Sequence, residues 1–489
     1  MSQSGGSVGG RRRRLTLRTK LGFSVGSIEE SMVTAAGAAT MIYYNQALGL
    51  SPALCGTAFL IAAISDAISD PLVGAFSDSF RSRWGRRHPL MLFSALPIAL
   101  AFYAIYQPPT VLSNYGLFLW LTGSLIAMGI AKDFYAIPHF AMGAELTDDY
   151  HERTSIYAWN SIVGAVAGIG MGLVIFTLIF PTNPAFDNGM LDRSRYPSLA
   201  LGGAITCFVS VVVCTLSTAH QIPFLHGHEP LSIAIRRNYG TAFRETWDNF
   251  CSLITNKSYL AICMCWFVLA VSGGVLGVVS MYGMLYAFAF TTEDLAVRTF
   301  LSVPGIILCV PLSAYLTRRL DKKYTVVLTI VFSCLLVGSP YTLKLLGLFP
   351  ANQSPLSLPF FMAMVGLGYI AIPIVPIVIN SQMVDIADEH ELRTGNRAEG
   401  LIFSVRMFAI KATTGLGSML AGIGLEVIHF PRNAKAASLS PQVIDGLMFM
   451  MGPLYYIIVF SGLGFALMYK IDRKRHEEIL RALEARRTA

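Results

Sequence analysis

Charge is what this 489-residue chain has least of: Asp, Glu, Lys and Arg make up 13% of it, whereas an ordinary soluble domain carries about a quarter. Hydrophobic residues make up 54%, more than one water-soluble core can hide, so a membrane protein is implied. Cysteine is sparse as well. Of the eight, all but Cys251 fall in apolar runs, and Cys263 and Cys265, two apart, point to different sides of a helix. They read as small packing residues, neither disulfides nor a zinc site. His88, His139 and His429 follow no metal-ligand spacing. There is no GxxxxGK phosphate loop, which argues against an ATP-driven pump. No nucleophile stands beside an oriented base, which argues against an enzyme, and no cofactor is called for. A cleavable signal peptide is not expected either, because a Ser/Gly stretch and "RRRR" precede a first apolar run too long for an h-region.

What the chain does have is a series of apolar runs of the ~20 residues that cross a bilayer. Twelve are counted, at about 21–48, 53–79, 88–107, 116–143, 155–180, 198–222, 258–290, 295–317, 325–347, 356–385, 399–428 and 445–470. The expected fold is therefore all-α, two six-helix bundles (21–222 and 258–470) joined by a central loop (223–257), with a basic N-terminus (1–20) and a tail (471–489). The central loop contains "AIRRNYGTAFRETWDNF", which suits a surface-lying amphipathic helix, and the tail reads as a solvated helix. The second and eighth spans are each followed by a basic loop, "RSRWGRRH" and "TRRLDKKY", the internal symmetry of a two-halved transporter. Alternation places 28 of the 37 Lys and Arg on the side of both termini and six, Arg298 among them, on the other. That bias puts both termini in the cytoplasm. The net charge of +8 then reports topology and contact with anionic lipid, not a nucleic-acid partner. A monomer in the cell membrane is expected, the inner membrane if the source is bacterial.

An ionisable side chain at the bilayer centre costs at least ~2.5 kcal/mol and is kept where it faces a cavity, a partner or water. "AAISDAISDPLVG" (62–74) places Asp66 and Asp70 near the middle of the second span, four apart and so on one face. Two such carboxylates either share a proton or share a cation, and their oxygens suit a hard ion such as Na⁺. Pro71 frees a carbonyl nearby. The plainer alternative is a structural ion pair with Lys411 or Arg406 of the eleventh span, and both hold if a lysine exchanges with a cation. Of Glu29 and Glu30 only one can face a cavity, with Glu30 favoured. Asp133 beside Lys132 is a candidate or a helix-pairing charge. "VSGGVLGVV" (271–279) and "YIAIPIVPIV" (369–378) mark possible breaks in spans seven and ten.

Three segments resemble the glycoside-pentoside-hexuronide:cation symporters, the melibiose permease family of the major facilitator superfamily: "SDAISDPLVGAFSDSFRSRWGRRHP" (65–89), "GAELTDDYHERT" (143–154) and "VDIADEHELRTGNRAEGLIFSVRMFAIK" (384–411). The similarity covers about 21–470. It implies alternating access with Na⁺ or H⁺ as coupling ion at Asp66 and Asp70, and Lys411 between the cation and substrate sites. Gly74, Asp78, Arg86 and Arg87 match the superfamily's gate motif, and Arg153 and Arg397 match gate-region loop arginines. The family's sugar-binding acid in helix 4 falls at Ala136, almost a turn from Asp133, and its helix 5 arginine at Ser161, beside Trp159 and Asn160. Its helix 1 aspartate falls at Ser31, next to Glu30. Trp159 and Tyr135 are left to supply an aromatic face for a sugar. The same family resembles sodium-dependent lysophosphatidylcholine symporters, so an amphiphile is the alternative to a sugar or glycoside substrate.

Overall fold

The computed structural model describes residues 15–147, 149–183, 186, 188–224, 255–352, 354–394, 399–434 and 439–488, with backbone only at 150–151, 224, 302, 399–410 and 487–488. The amphipathic stretch expected in the central loop lies outside these residues, as does Arg397. Among the described residues the chain is helical throughout, and its one β feature is an isolated bridge between Asn183 and Phe186. Nine helices among them are long and apolar enough to cross a bilayer.

The first half comprises α1 (Leu17–Ser24), α2 (Ser27–Ile42), α3 (Pro52–Ser79), α4 (His88–Tyr106), α5 (Asn114–Glu145), α6 (Tyr150–Leu173) and α7 (Tyr196–Thr218). The second comprises α8 (Lys257–Tyr282), α9 (Thr292–Arg298), α10 (Ser302–Leu345), α11 (Ser357–Ala371), α12 (Ile374–Thr394), α13 (Glu399–Val427), α14 (Pro441–Met451), α15 (Pro453–Leu467) and the tail helix α16 (Arg473–Thr488). At ~1.5 Å per residue, a straight α10 of 44 residues would span about 66 Å, twice a bilayer core. It bends instead where Asp321 leaves helical geometry (φ 66°, ψ 160°), so the basic loop expected after span eight narrows to a single residue's turn. Of the two expected breaks, that in span ten is real, between Ala371 and Ile374. The glycines of 271–279 lie in an unbroken α8, and Gly274 serves packing: a Cβ there would stand 2.4 Å from the Thr414 carbonyl.

The two halves meet along α13, which packs on both α3 and α8. Small residues allow this, since a Cβ on Gly415 would fall 2.5 Å from Ala63 Cβ and one on Gly417 2.2 Å from the Val271 carbonyl. Such close backbone approach is how membrane helices gain packing energy where lipid supplies no hydrophobic drive. The tail differs from expectation: Ile479 and Leu483 of α16 are buried in the second half's core, and His476 stands 3.2 Å from Asp388 and 3.4 Å from Asp385.

At the face away from the termini, called distal here, the halves are joined by hydrogen bonds. Helix α2 ends in a π turn (Tyr43–Ala47) and α8 in another (Gly283–Ala287), the kind of local widening that re-aims side chains at functional places. Asn45 accepts from the Tyr282 hydroxyl (2.9 Å), and Gln46 Oε1 accepts from the Tyr286 hydroxyl (3.0 Å) and the Ala434 amide (2.8 Å). Ser51 donates to Glu426 at 3.0 Å, and Thr182 to Glu293 at 2.9 Å. Gln46 is buried, so Gln46→Leu would leave two donors unpaired at about 1–3 kcal/mol. The expected outcome is a lower unfolding midpoint in detergent, larger than the shift for Tyr282→Phe; equal midpoints in Gln46→Leu and the parent would remove Gln46 from the seal.

Candidate cation site and central cavity

Asp66 and Asp70 sit one turn apart on α3, and Asp133 comes to them from α5. Lys411, on α13 in the opposite half, reaches across the seam. Its Nζ lies 2.6 Å from Asp70, 3.8 Å from Asp66 and 4.0 Å from Asp133. Ser69 donates its hydroxyl to Asp133, tying α3 to α5. Three carboxylates therefore surround one amine. The side chains of Asp66, Asp70 and Lys411 retain 31%, 34% and 37% exposure, so the group is open to solvent on one side. A pair that exposed is screened and contributes on the order of 1 kcal/mol, weak enough for a solution cation to compete with Lys411. The oxygen-only donor set of the carboxylates and Ser69 suits a hard monovalent ion or a proton.

Placement of Asp66 depends on Gly129 of α5: a Cβ there would lie 1.8 Å from Asp66 Oδ1. Ser69 and Gly129 were not singled out from the sequence; Ser69 was readable as the polar residue on the same face as the two aspartates, whereas Gly129 has no local signature.

A cavity of about 390 Å³ is walled by Thr34 and Ala38 of α2, Gly168 of α6, Met281 of α8, Arg298 and Tyr369. This is within the ~300–1,000 Å³ usual for small-molecule sites. Arg298, counted with the distal side though it falls inside the run 295–317, ends α9 and lines this cavity.

Residues 22–473 match the family described as MFS/sugar transport protein. The chain belongs to that family. Within it, the transporter is a glycoside-pentoside-hexuronide:cation symporter family member, a multi-pass membrane protein and not an enzyme. It is 23% identical over 492 residues to the putative glycoside/cation symporter YagG of Escherichia coli, covering 97% of this chain and 96% of that one. To the glucuronide carrier protein homolog of Escherichia coli it is 22% identical, covering 97% of each. Its fold matches the crystal structure of a D-xylose-proton symporter with a TM-score of 0.61 at 14% identity, covering 93% of this chain and 96% of that one.

The residues expected in the gate motif come together within the first half. Arg87 pairs with Asp78 at 2.7 Å and with Glu145 at 3.0 Å, donates to Ser77, and is joined on Glu145 by Arg86. Arg153 donates to the Thr147 carbonyl at the end of α5 (3.3 Å), and Gly74 lies one turn before Asp78. Sequence reading missed Glu145 although "GAELTDD" displayed it. The second half repeats the pattern with Lys322 on Asp385 at 2.6 Å, which also accepts from the Tyr469 hydroxyl.

The other predicted residues spread out. Tyr135 is buried with its ring stacked on His139, and a Cβ on Gly26 would lie 1.9 Å from its hydroxyl, so it offers no face to a solute. Glu30 is exposed and Glu29 buried, both in the field of Lys132. Trp159 and Asn160 are half-buried on α6, toward the terminal face from the stretch that lines the cavity, and the Asn160 carbonyl oxygen has no protein partner. The side chain of Arg406 lies outside the described residues.

Gly129→Ala is expected to displace Asp66 and weaken cation-induced stabilisation at least tenfold. In the Asp66→Ala background the same change should add little, because the coupled partner is gone. Additive effects in thermal-shift titrations with NaCl would separate the two residues.

Proposed function

We propose that the chain is a cation-coupled symporter, with Na⁺ or H⁺ as the driving ion, that moves a sugar or glycoside by alternating access. The observation that carries this reading is Lys411, held against Asp70, Asp66 and Asp133 across the seam of the two halves. The carboxylates outnumber the amine, so a second positive charge has a place there. When that charge binds, Lys411 loses its hold on α3, and the free energy of the seam changes. A cation can shift the equilibrium between access states only by its differential affinity for them, about 1.4 kcal/mol for each tenfold. By linkage the solute then raises the affinity for the cation by the same factor.

The topology in this reading is twelve crossings in two six-helix bundles with both termini in the cytoplasm, and a monomer as the working unit. The distal face is then the outer face, and its hydrogen-bonded seal together with ion pairs kept inside each half at the terminal face suits an inward-open state. The two relatives named for glycoside/cation symport and glucuronide carriage favour a sugar-type solute. The lysophospholipid alternative has no specific observation behind it and is set aside.

The test is uptake into proteoliposomes under imposed Na⁺ or H⁺ gradients, with counterflow as the uncoupled control. Asp66→Asn and Asp70→Asn are expected to lose cation-driven accumulation while counterflow persists. Lys411→Gln should abolish the response of each half to the other and leave accumulation at least tenfold lower. Undiminished cation dependence in both aspartate variants would sink the assignment.

A further inference from the structure

The cation group is not the only cluster of charge inside the first half. Lys132 directly precedes Asp133 on α5, and the acids in whose field it lies belong to two other helices: Asp66 of α3, and Glu29 and Glu30 of α2. Packing brackets the amine between them. Three residues before Lys132, Gly129 lies against the Asp66 carboxylate, where a Cβ would stand 1.8 Å from Oδ1. Three residues after it, the Tyr135 hydroxyl reaches the chain just before α2, 1.9 Å from where a Cβ on Gly26 would be. Residues three apart are neighbours on a helix surface, so this side of α5 runs from the α3 acid to the first turn of α2 and carries Lys132 midway.

Lys132 is committed to neither side. Among the described residues it closes no ion pair, whereas Lys411 is held by Asp70 at 2.6 Å. Glu29 is buried, and its Oε1 has no hydrogen-bond partner. A static helix-pairing bridge would be closed, because unpaired charge is costly in hydrocarbon. Glu30 carries the arrangement on to the cavity. It is exposed, and Thr34 and Ala38, which wall the central cavity, follow it at steps of four on the same face of α2. When a positive charge answers Asp66, that acid's pull on Lys132 falls, and the amine is left to Glu29 and Glu30. The charge beside the α2 wall then changes while the cation stays in its own site.

We propose that Lys132 is the positioning residue that links the cation group to the solute cavity, drawn toward Asp66 while the cation group is empty and toward Glu29 and Glu30 once Asp66 is neutralised. This rests on the symporter reading above and adds the route by which cation occupancy reaches the wall that meets the solute. Such a route is demonstrated by non-additivity between its members, not by their lying between two sites.

The experiment is a double-mutant cycle on the full chain in detergent. Its reporter is the rate at which N-ethylmaleimide alkylates Thr34→Cys, an exposed position on the α2 wall, read by peptide mass mapping. Asp66→Asn imitates a neutralised Asp66 and requires neither the coupling ion nor the solute to be identified. It should change the rate at position 34 by about threefold or more when Lys132 is present and leave it nearly unchanged in Lys132→Met. Lys132→Arg, which keeps the charge, should restore most of the response. A second reporter, Ile306→Cys on the cavity wall of the second half, follows access to the whole cavity and should respond alike with and without Lys132. If Lys132→Met does not fold, Glu30→Gln on the exposed face of α2 replaces it and should cut the response about twofold. Equal responses at position 34 with and without Lys132, no response in either, an undiminished response in Glu30→Gln, or a parallel loss at position 306 each overturn the link. A non-additive cycle with cation-driven uptake intact in Asp66→Asn would keep the link and remove symport. An additive cycle with that uptake lost would remove the link and leave symport standing.

Discussion

A charge inside a membrane has to be answered by another charge, by water or by a ligand, and the seam between α3 and α13 is built around that constraint. Lys411 answers Asp70 most closely and Asp66 and Asp133 more loosely. The glycines at 415 and 417 bring α13 near enough for a lysine to reach across. Breaking a deeply buried pair would leave an uncompensated charge at several kcal/mol, but this one is partly open to solvent, so its members can change partners.

The two faces of the molecule are held by different chemistry. The distal face is closed by hydrogen bonds among amides and hydroxyls at the ends of π turns, with Glu426 and Glu293 as carboxylate acceptors. The terminal face carries ion pairs, Arg87 with Asp78 and Glu145 in one half and Lys322 with Asp385 in the other, each made within its own half. Docking of α16 on the second half places His476 beside Asp385 and Asp388, which ties the tail to the same pseudo-symmetric acid. A transporter that alternates needs one seal that can open while the other forms, and the two kinds of contact let a charged event act on one without acting directly on the other.

How much of this was legible depended on whether the relevant physics is local. Asp66 and Asp70 stood out because the cost of a carboxylate in hydrocarbon is paid at the residue itself, and a spacing of four fixes a common face. The gate residues Asp78, Arg86 and Arg87 were readable as a motif, but their partner Glu145 was a matter of where α5 ends relative to α4. Tyr135 was expected to offer a face to the solute and is buried against His139, since the rotation of a helix that is apolar nearly all round is not set by its own sequence. That Arg298 lines a cavity was not legible, because a charge near the end of an apolar run does not say which neighbours it meets.

By itself the sequence determined that the chain lives in a membrane, that it is helical, and that one face of its second span carries acids needing a positive partner. These follow from composition, period and charge cost, all of which are properties of short segments. Only the tertiary structure decided that Lys411 is the partner, that Asp133 and Ser69 join the group, and that Arg298 faces the interior opposite a tyrosine hydroxyl. Those are distances between helices far apart in the chain, set by close backbone packing at glycines, and no segment read alone contains them.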